Sequence, residues 1–325
     1  MVTTIGSGAH TYRVNTTWAK PPNDWWFNEA PAVAVDRQDR VYVFSRSEHP
    51  IMVFAPDGTF LKSWGEGRFV RPHGIHIAAN DTVFLTDDGS DTVQQFDLDG
   101  RHLLTIGVPG KRAPFMSGEP FHRCTHTALS PEGDIYVADG YGNSRVHKYA
   151  PDGRHLFSWG APGSSPGEFN IVHNIASDSD GYVYVADREN HRIQIFDGKG
   201  KYQAQWNNLH RPSGLCLTEC RSCRTAYIGE NGPALKVNLH VPNLGPRVSI
   251  LDGNGDVLVR LGGLKSGDAP GEFIAPHGLA VDSRGDIYVG EVSLNGWPQH
   301  FPDRPIPHRL KCLQKLEKVT AGQAA

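Results

Sequence analysis

Cysteine is scarce and odd in number: Cys124, Cys216, Cys220, Cys223 and Cys312 cannot all pair with one another, and their spacing is not that of a disulfide framework. Long apolar runs are missing. None approaches the roughly 18–20 residues that a membrane-spanning helix requires, and the opening MVTTIGSGAH has neither the basic nor the apolar stretch of an export signal. A reducing cytoplasm is therefore the expected compartment. An excess of one charge is missing too, since 32 Lys and Arg face 35 Asp and Glu for a net charge of −3. No broad cationic field is available to hold a nucleic-acid backbone or an anionic membrane, so a small-molecule or protein partner is expected. The sequence carries no signal for an oligomeric state.

Turn-forming residues are plentiful, with 36 Gly and 23 Pro, yet 38% of the chain is hydrophobic, which is enough for a globular core. The chain repeats itself. One copy runs FVRPHGIHIAANDTVFLTDDGSDTVQQFDLDGRHLLTIG from Phe69, a second starts at Phe121, a third at Phe169, two looser copies begin near His210 and at Phe273, and an earlier one runs from Ala30. Each contains short alternating apolar runs broken by Asp-Gly-type turns, the signature of antiparallel strands. Four short strands per copy cannot bury both faces of their own sheet, so six copies must pack face to face around an axis. The fold class expected is all-β, a single six-bladed β-propeller over residues 1–325. Its blades fall at about residues 30–67, 69–110, 121–163, 169–209, 210–265 and 273–318, the last closed by a strand at 10–20. RLKCLQKL at Arg309–Leu316 reads as the third strand of the last blade, although Leu310, Leu313 and Leu316 also fit a helix. Asn231–Arg247 and Trp297–Pro307 read as long loops.

Aligned on the residue four after the opening Phe, the copies show Ala32, His73, Thr125, His173, Ser213 and His277. Histidine occupies every second copy. The intervals of 100 and 104 residues are each two repeat lengths, which places the three rings on a triangle about the propeller axis, at the start of the innermost strands. Three neutral imidazoles converging around an open fourth position build a catalytic metal site, with zinc favoured over iron, manganese or cobalt. The plainer alternative is a recurrent Pro-His-Gly turn.

Three features narrow the assignment: DGYGNSRV (Asp139–Val146), VADRENHRIQ (Val185–Gln194) and the histidine turns PHG, VHN and PHG. They resemble the peptidyl-α-hydroxyglycine α-amidating lyase family, a branch of the NHL-repeat propellers, and the resemblance extends from about Ala30 to Gly290. It implies a metal-dependent carbon–nitrogen lyase that cleaves an N-acyl-α-hydroxyglycine into an amide and glyoxylate. It further implies zinc on His73, His173 and His277, Tyr141 beside the metal acting on the substrate hydroxyl, and Arg46 and Arg188 facing the substrate. An arginine fork suits a carboxylate. The animal enzymes place a Met two residues before the third histidine and an Asp after it, the latter helping to hold calcium. Here those positions are Ala275 and Gly278, so calcium, which would also use a backbone carbonyl at Ile75, is not expected. A small α-hydroxy amide or carboxylate, such as a ureidoglycolate-like compound or another carbinolamine, suits this chain better than a peptide hormone.

Other features have plainer readings. Cys216, Cys220 and Cys223 form a thiol cluster lacking the fourth ligand of a second zinc site, with a redox pair as a further alternative. His76 and His126 lie close to the innermost strands, but His126 is one residue past the ligand position, where strand alternation turns it away. Asp87, Asp139, Asp187, Glu230 and Glu291 recur at one repeat position in nearly every copy, which points to hydrogen bonds with neighbouring turns. Two other functions fit the same repeats: a non-enzymatic scaffold binding protein or RNA, and a zinc-dependent hydrolase of a lactone or ester.

Overall fold

Runs rich in Val, Ile, Tyr and Phe form strands of four to nine residues, as β-branched and aromatic side chains favour. The computed structural model describes residues 3–22, 24–220, 223–239 and 241–320. The strands make six antiparallel sheets, five of which follow the chain from first strand to last. The first strands are Ala32–Val35, Pro72–Ile77, His126–Leu129, Val172–Ser177, Pro212–Cys220 and Pro276–Val281. The architecture is all-β, a six-bladed β-propeller, and among the described residues the α-helix Ser293–His300 is the only one.

Packing divides the chain into two units, Gly65–Glu219 and the remainder, Met1–Trp64 with Cys220–Ala325. The first unit holds the second, third and fourth sheets. Their cores interleave: Phe121 and Cys124 join Phe84 of the second sheet to Ile135 and Val137 of the third, and Phe169 and Val172 join Val146 of the third to Val185 and Phe196 of the fourth. The repeat-opening Phe121 and Phe169 are almost wholly buried, each contributing about 1.5–3 kcal/mol of transfer free energy. In the other unit the first and sixth sheets share a core of Phe27, Val33, Phe54, Tyr288 and Cys312.

The sixth sheet has five strands. His10–Asn15 pairs antiparallel with Leu313–Lys318, and Thr4–Ser7 adds a further strand outside it. The strand that joins the last repeat thus stops at Asn15. Trp18 and Lys20 turn to the first sheet, where Trp18 Nε1 donates to the Pro56 carbonyl at 2.9 Å and Lys20 bridges to Thr59. The stretch expected to be a loop from Trp297 instead begins within Ser293–His300, a helix that contains Pro298. Trp297 is 1% exposed and packs on Phe301 at 4.6 Å, so burial of an indole outweighs the local breakers Gly296 and Pro298.

Candidate metal centre

In the second, fourth and sixth sheets the ladder between the first two strands skips one residue. Pro72 faces Asp87 and Gly74 faces Thr86; Val172 faces Asp187 and Asn174 faces Ala186; Pro276 faces Glu291 and Gly278 faces Gly290. The residues left unpaired are His73, His173 and His277. A β-bulge re-aims the side chain it carries. The first and third sheets pair without a bulge at this position.

Each bulged histidine is fastened in the same way. His73 Nδ1 donates to the Thr125 carbonyl at 2.8 Å, His173 Nδ1 to the Ser213 carbonyl at 2.8 Å, and His277 Nδ1 to the Pro31 carbonyl at 2.7 Å. These carbonyls lie at or next to the equivalent position of the following sheet. The tautomer follows from the partner: with the proton on Nδ1, the lone pair is on Nε2. All three rings are buried, at 2%, 1% and 4% exposure. The glycine of Pro-His-Gly serves this contact. A Cβ at Gly74 would stand 2.5 Å from the Thr125 carbonyl oxygen, and one at Gly278 would stand 2.6 Å from Ala32 Cα. Gly278 therefore has no room for the aspartate of the animal enzymes.

Tyr141 lies on the loop after the second strand of the third sheet, in Asp-Gly-Tyr-Gly. Gly140 crosses the fourth sheet so closely that a Cβ there would meet the Val172 carbonyl at 1.8 Å. That crossing carries the phenol to the histidines. Its hydroxyl stands 3.1 Å from His73 Nε2 and 3.1 Å from His173 Nε2, and the two imidazole centroids are 5.0 Å apart. A phenol has one proton and can donate to one of these lone pairs at a time. Two imidazole lone pairs facing one point suit a cation; His73 and His173 supply them within one unit, and His277 carries the same tautomer in the other.

The two expected arginines differ. Arg46 forms an ion pair with Glu29, whose carboxylate also accepts the Asn295 backbone N–H at 2.9 Å. Arg188 projects its guanidinium over the Tyr141 ring at 5.5 Å, and its Nε donates to Glu189 at 2.8 Å. Glu189 is shared with Arg211. Burial alone would raise the Glu189 carboxyl, but hydrogen bonds from Arg211 and the charges of Arg188 and Arg211 hold it below the ordinary value.

A third guanidinium, Arg123, lies closer to Tyr141, at 4.4 Å from the ring centroid. The repeat pattern carries a signal for it. Two residues before the aligned position stand Arg71, Arg123 and Arg211 in the second, third and fifth repeats. Arg71 and Arg123 both pair with Asp88, which occupies the repeat position that carries Arg46 and Arg188 elsewhere.

The recurrent carboxylates are structural, as their repetition suggests. Asp87 accepts the Val70 and Arg71 N–H groups at 2.7 and 2.8 Å, Asp139 that of His122 at 3.0 Å, Asp187 that of Asn170 at 2.7 Å, and Glu291 that of Ile274 at 2.7 Å. Each fastens the segment entering its first strand. Glu230 holds Arg247 at 2.8 Å. His76 and His126 are lowered to about 4, chiefly by burial, and His126 Nδ1 donates to the Thr127 carbonyl at 2.9 Å. Of the thiol cluster, Cys216 is partly buried, and the side chains of Cys220 and Cys223 lie outside the described residues.

A family model described as NHL repeat matches residues 121–149 and 169–196. The chain is 30% identical over 305 residues to NHL repeat-containing protein 3 of Homo sapiens, covering 90% of this chain and 84% of that protein. It is 27% identical over 332 residues to peptidyl-alpha-hydroxyglycine alpha-amidating lyase 1 of Drosophila melanogaster, covering 87% of this chain and 58% of the relative. Among solved structures, a gluconolactonase of Xanthomonas campestris superposes with a TM-score of 0.62 at 13% identity, over 98% of this chain and 95% of that one, a likeness of fold.

Proposed function

Because the chain belongs to the NHL-repeat family and shares extended similarity with lyases of that fold, we propose that the centre around Tyr141 cleaves the C–N bond of an α-hydroxylated amide, releasing an amide and glyoxylate or a related carbonyl. One observation carries the reading: the Tyr141 hydroxyl is held 3.1 Å from the Nε2 atoms of two buried imidazoles whose Nδ1 protons are committed to backbone carbonyls. His277, locked in the same tautomer, supplies the third ring of the proposed set. Three neutral imidazoles fit zinc. When bound, such an ion lowers the pKa of a substrate hydroxyl by several units.

The remaining work belongs to the chain. As a phenolate, its own proton given up beforehand, Tyr141 Oη takes the α-hydroxyl proton, the freed electron pair becomes the carbonyl, the C–N bond breaks, and Tyr141 returns that proton to the departing amide nitrogen. Arg188 orients the substrate carboxylate from beside the Tyr141 ring, and Arg46 is assigned the same task by the family resemblance. The recurrent carboxylates Asp87, Asp139, Asp187 and Glu291 are committed to backbone amides, so they offer no base for a lactonase-type reaction.

The test is glyoxylate and benzamide release from N-benzoyl-α-hydroxyglycine by purified protein, with metal analysis alongside. Equal amounts of the two products and about one bound zinc per chain are expected. Absence of glyoxylate from zinc-replete protein would overturn the lyase reading.

A further inference from the structure

Asp88 serves two arginines with one oxygen. Its Oδ2 accepts from Arg71 Nη1, from Arg123 Nη2 at 2.6 Å and from Arg123 Nε at 3.2 Å, while Oδ1 is buried and accepts from nothing among the described residues. One carboxylate oxygen thus serves two guanidiniums, and the carboxylates of Asp87 and Asp91 hold the backbone N–H groups of the same two arginines. The carboxylate is shielded and the cations are not: the Asp88 side chain is 0% exposed, those of Arg71 and Arg123 35% and 33%. An anion arriving from solvent meets guanidinium first.

Arg123 is also held in place. Its backbone adopts φ of 62°, a left-handed conformation that costs a non-glycine residue energy, and its N–H is fixed on Asp91 at 2.6 Å. Asp91 is also paired with Arg112 at 3.0 Å. Nε and Nη2 of Arg123 are spent on Asp88, and among the described residues Nη1 has no protein acceptor. That unspent donor belongs to a guanidinium 4.4 Å from the Tyr141 ring, nearer than Arg188 at 5.5 Å.

We infer that Arg123 is a specificity-determining residue that binds a second anionic group of the substrate, so that the preferred substrate bears a carboxylate on its acyl side as well as on its glycine-derived side. The inference rests on the proposed reading in taking the surroundings of Tyr141 as the substrate site. In that reading Arg188 and Arg46 already address the glycine-derived carboxylate, which leaves Arg123 in surplus. A guanidinium–carboxylate contact beside a partly desolvated ring is a charge-assisted hydrogen bond, stronger than a neutral one.

The test uses two unreactive ligands of similar size, N-succinylglycine and N-butyrylglycine, titrated calorimetrically into the zinc-loaded protein at low salt. The succinyl compound should bind about ten-fold more tightly, a gap that narrows as salt screens the charge. Arg123→Met should close the gap to within about two-fold while leaving butyryl affinity unchanged, in protein whose circular dichroism shows it still folded, and Arg123→Lys should retain part of it. Equal affinities in the unaltered protein, or a gap that survives Arg123→Met, would overturn the inference. Because neither ligand carries the α-hydroxyl, these outcomes do not depend on turnover. Loss of N-benzoyl-α-hydroxyglycine cleavage with the succinyl preference intact would sink the lyase reading alone.

Discussion

Two kinds of sheet alternate in this protein. The second, fourth and sixth carry a bulged histidine at the start of the first strand, whereas the third, fifth and first carry Thr125, Ser213 and Ala32 there. The histidine sheets supply rings, and their neighbours supply the carbonyls that orient those rings. In one class the side chain matters chemically. In the other the backbone does, and the side chain is replaceable.

The sharpest way to break this division is to alter one member of each class. His173→Ala should lower glyoxylate release by about 10³-fold or more and strip the metal, with circular dichroism and melting temperature nearly unchanged, because the sheets pack through Phe169 and Val172 and not through the ring. Unfolding of that variant would show the imidazole to be structural. Tyr141→Phe should reduce kcat by about 10²–10³-fold and leave zinc content intact, since the phenol is assigned proton transfer and not ligation. Loss of zinc in that variant would make the tyrosine a ligand.

His76 and His126 sharpen the contrast from the side of stability. Both are lowered to about 4, chiefly by burial, from an ordinary value of 6.5, so the fold favours their neutral forms. Their contribution to stability is complete above about pH 6.5 and is lost as the pH falls towards 4, at up to about 1.4 kcal/mol per pH unit for each ring. A double variant, His76→Gln with His126→Gln, should flatten that part of a urea-denaturation pH profile; an unchanged slope would remove these rings from the account. The smallest effect belongs to Thr125→Val. Its hydroxyl donates to the Val172 carbonyl at 3.0 Å, with the Ala138 carbonyl at 3.2 Å as the alternative acceptor, so stability should fall by about 1 kcal/mol while the carbonyl that holds His73 stays in place and zinc stays bound.

Much of this division was legible in the chain. The spacing of His73, His173 and His277 identified which repeats carry imidazole, and the recurrence of Asp87, Asp139 and Asp187 separated fastening carboxylates from reactive ones. Tyr141 was legible through its resemblance to a known loop, and its place between two Nε2 atoms came only with the crossing of Gly140 over Val172. Arg123 escaped notice because it belongs to a different repeat position from Arg46 and Arg188, and its nearness to Tyr141 depends on two loops folding against each other. The helix at Ser293–His300 was hidden by Gly296 and Pro298, whose local preference yields to the burial of Trp297.

By itself the sequence determined the sheets and the equivalence of positions among them, because strand periodicity and repeat length are one-dimensional properties that a linear pattern can hold. Which nitrogen of each histidine bears the proton, where the bulges fall and which guanidinium lies over the tyrosine were decided by the tertiary structure. Those depend on carbonyls and loops from neighbouring sheets, brought within about 3 Å by packing between segments far apart in the chain.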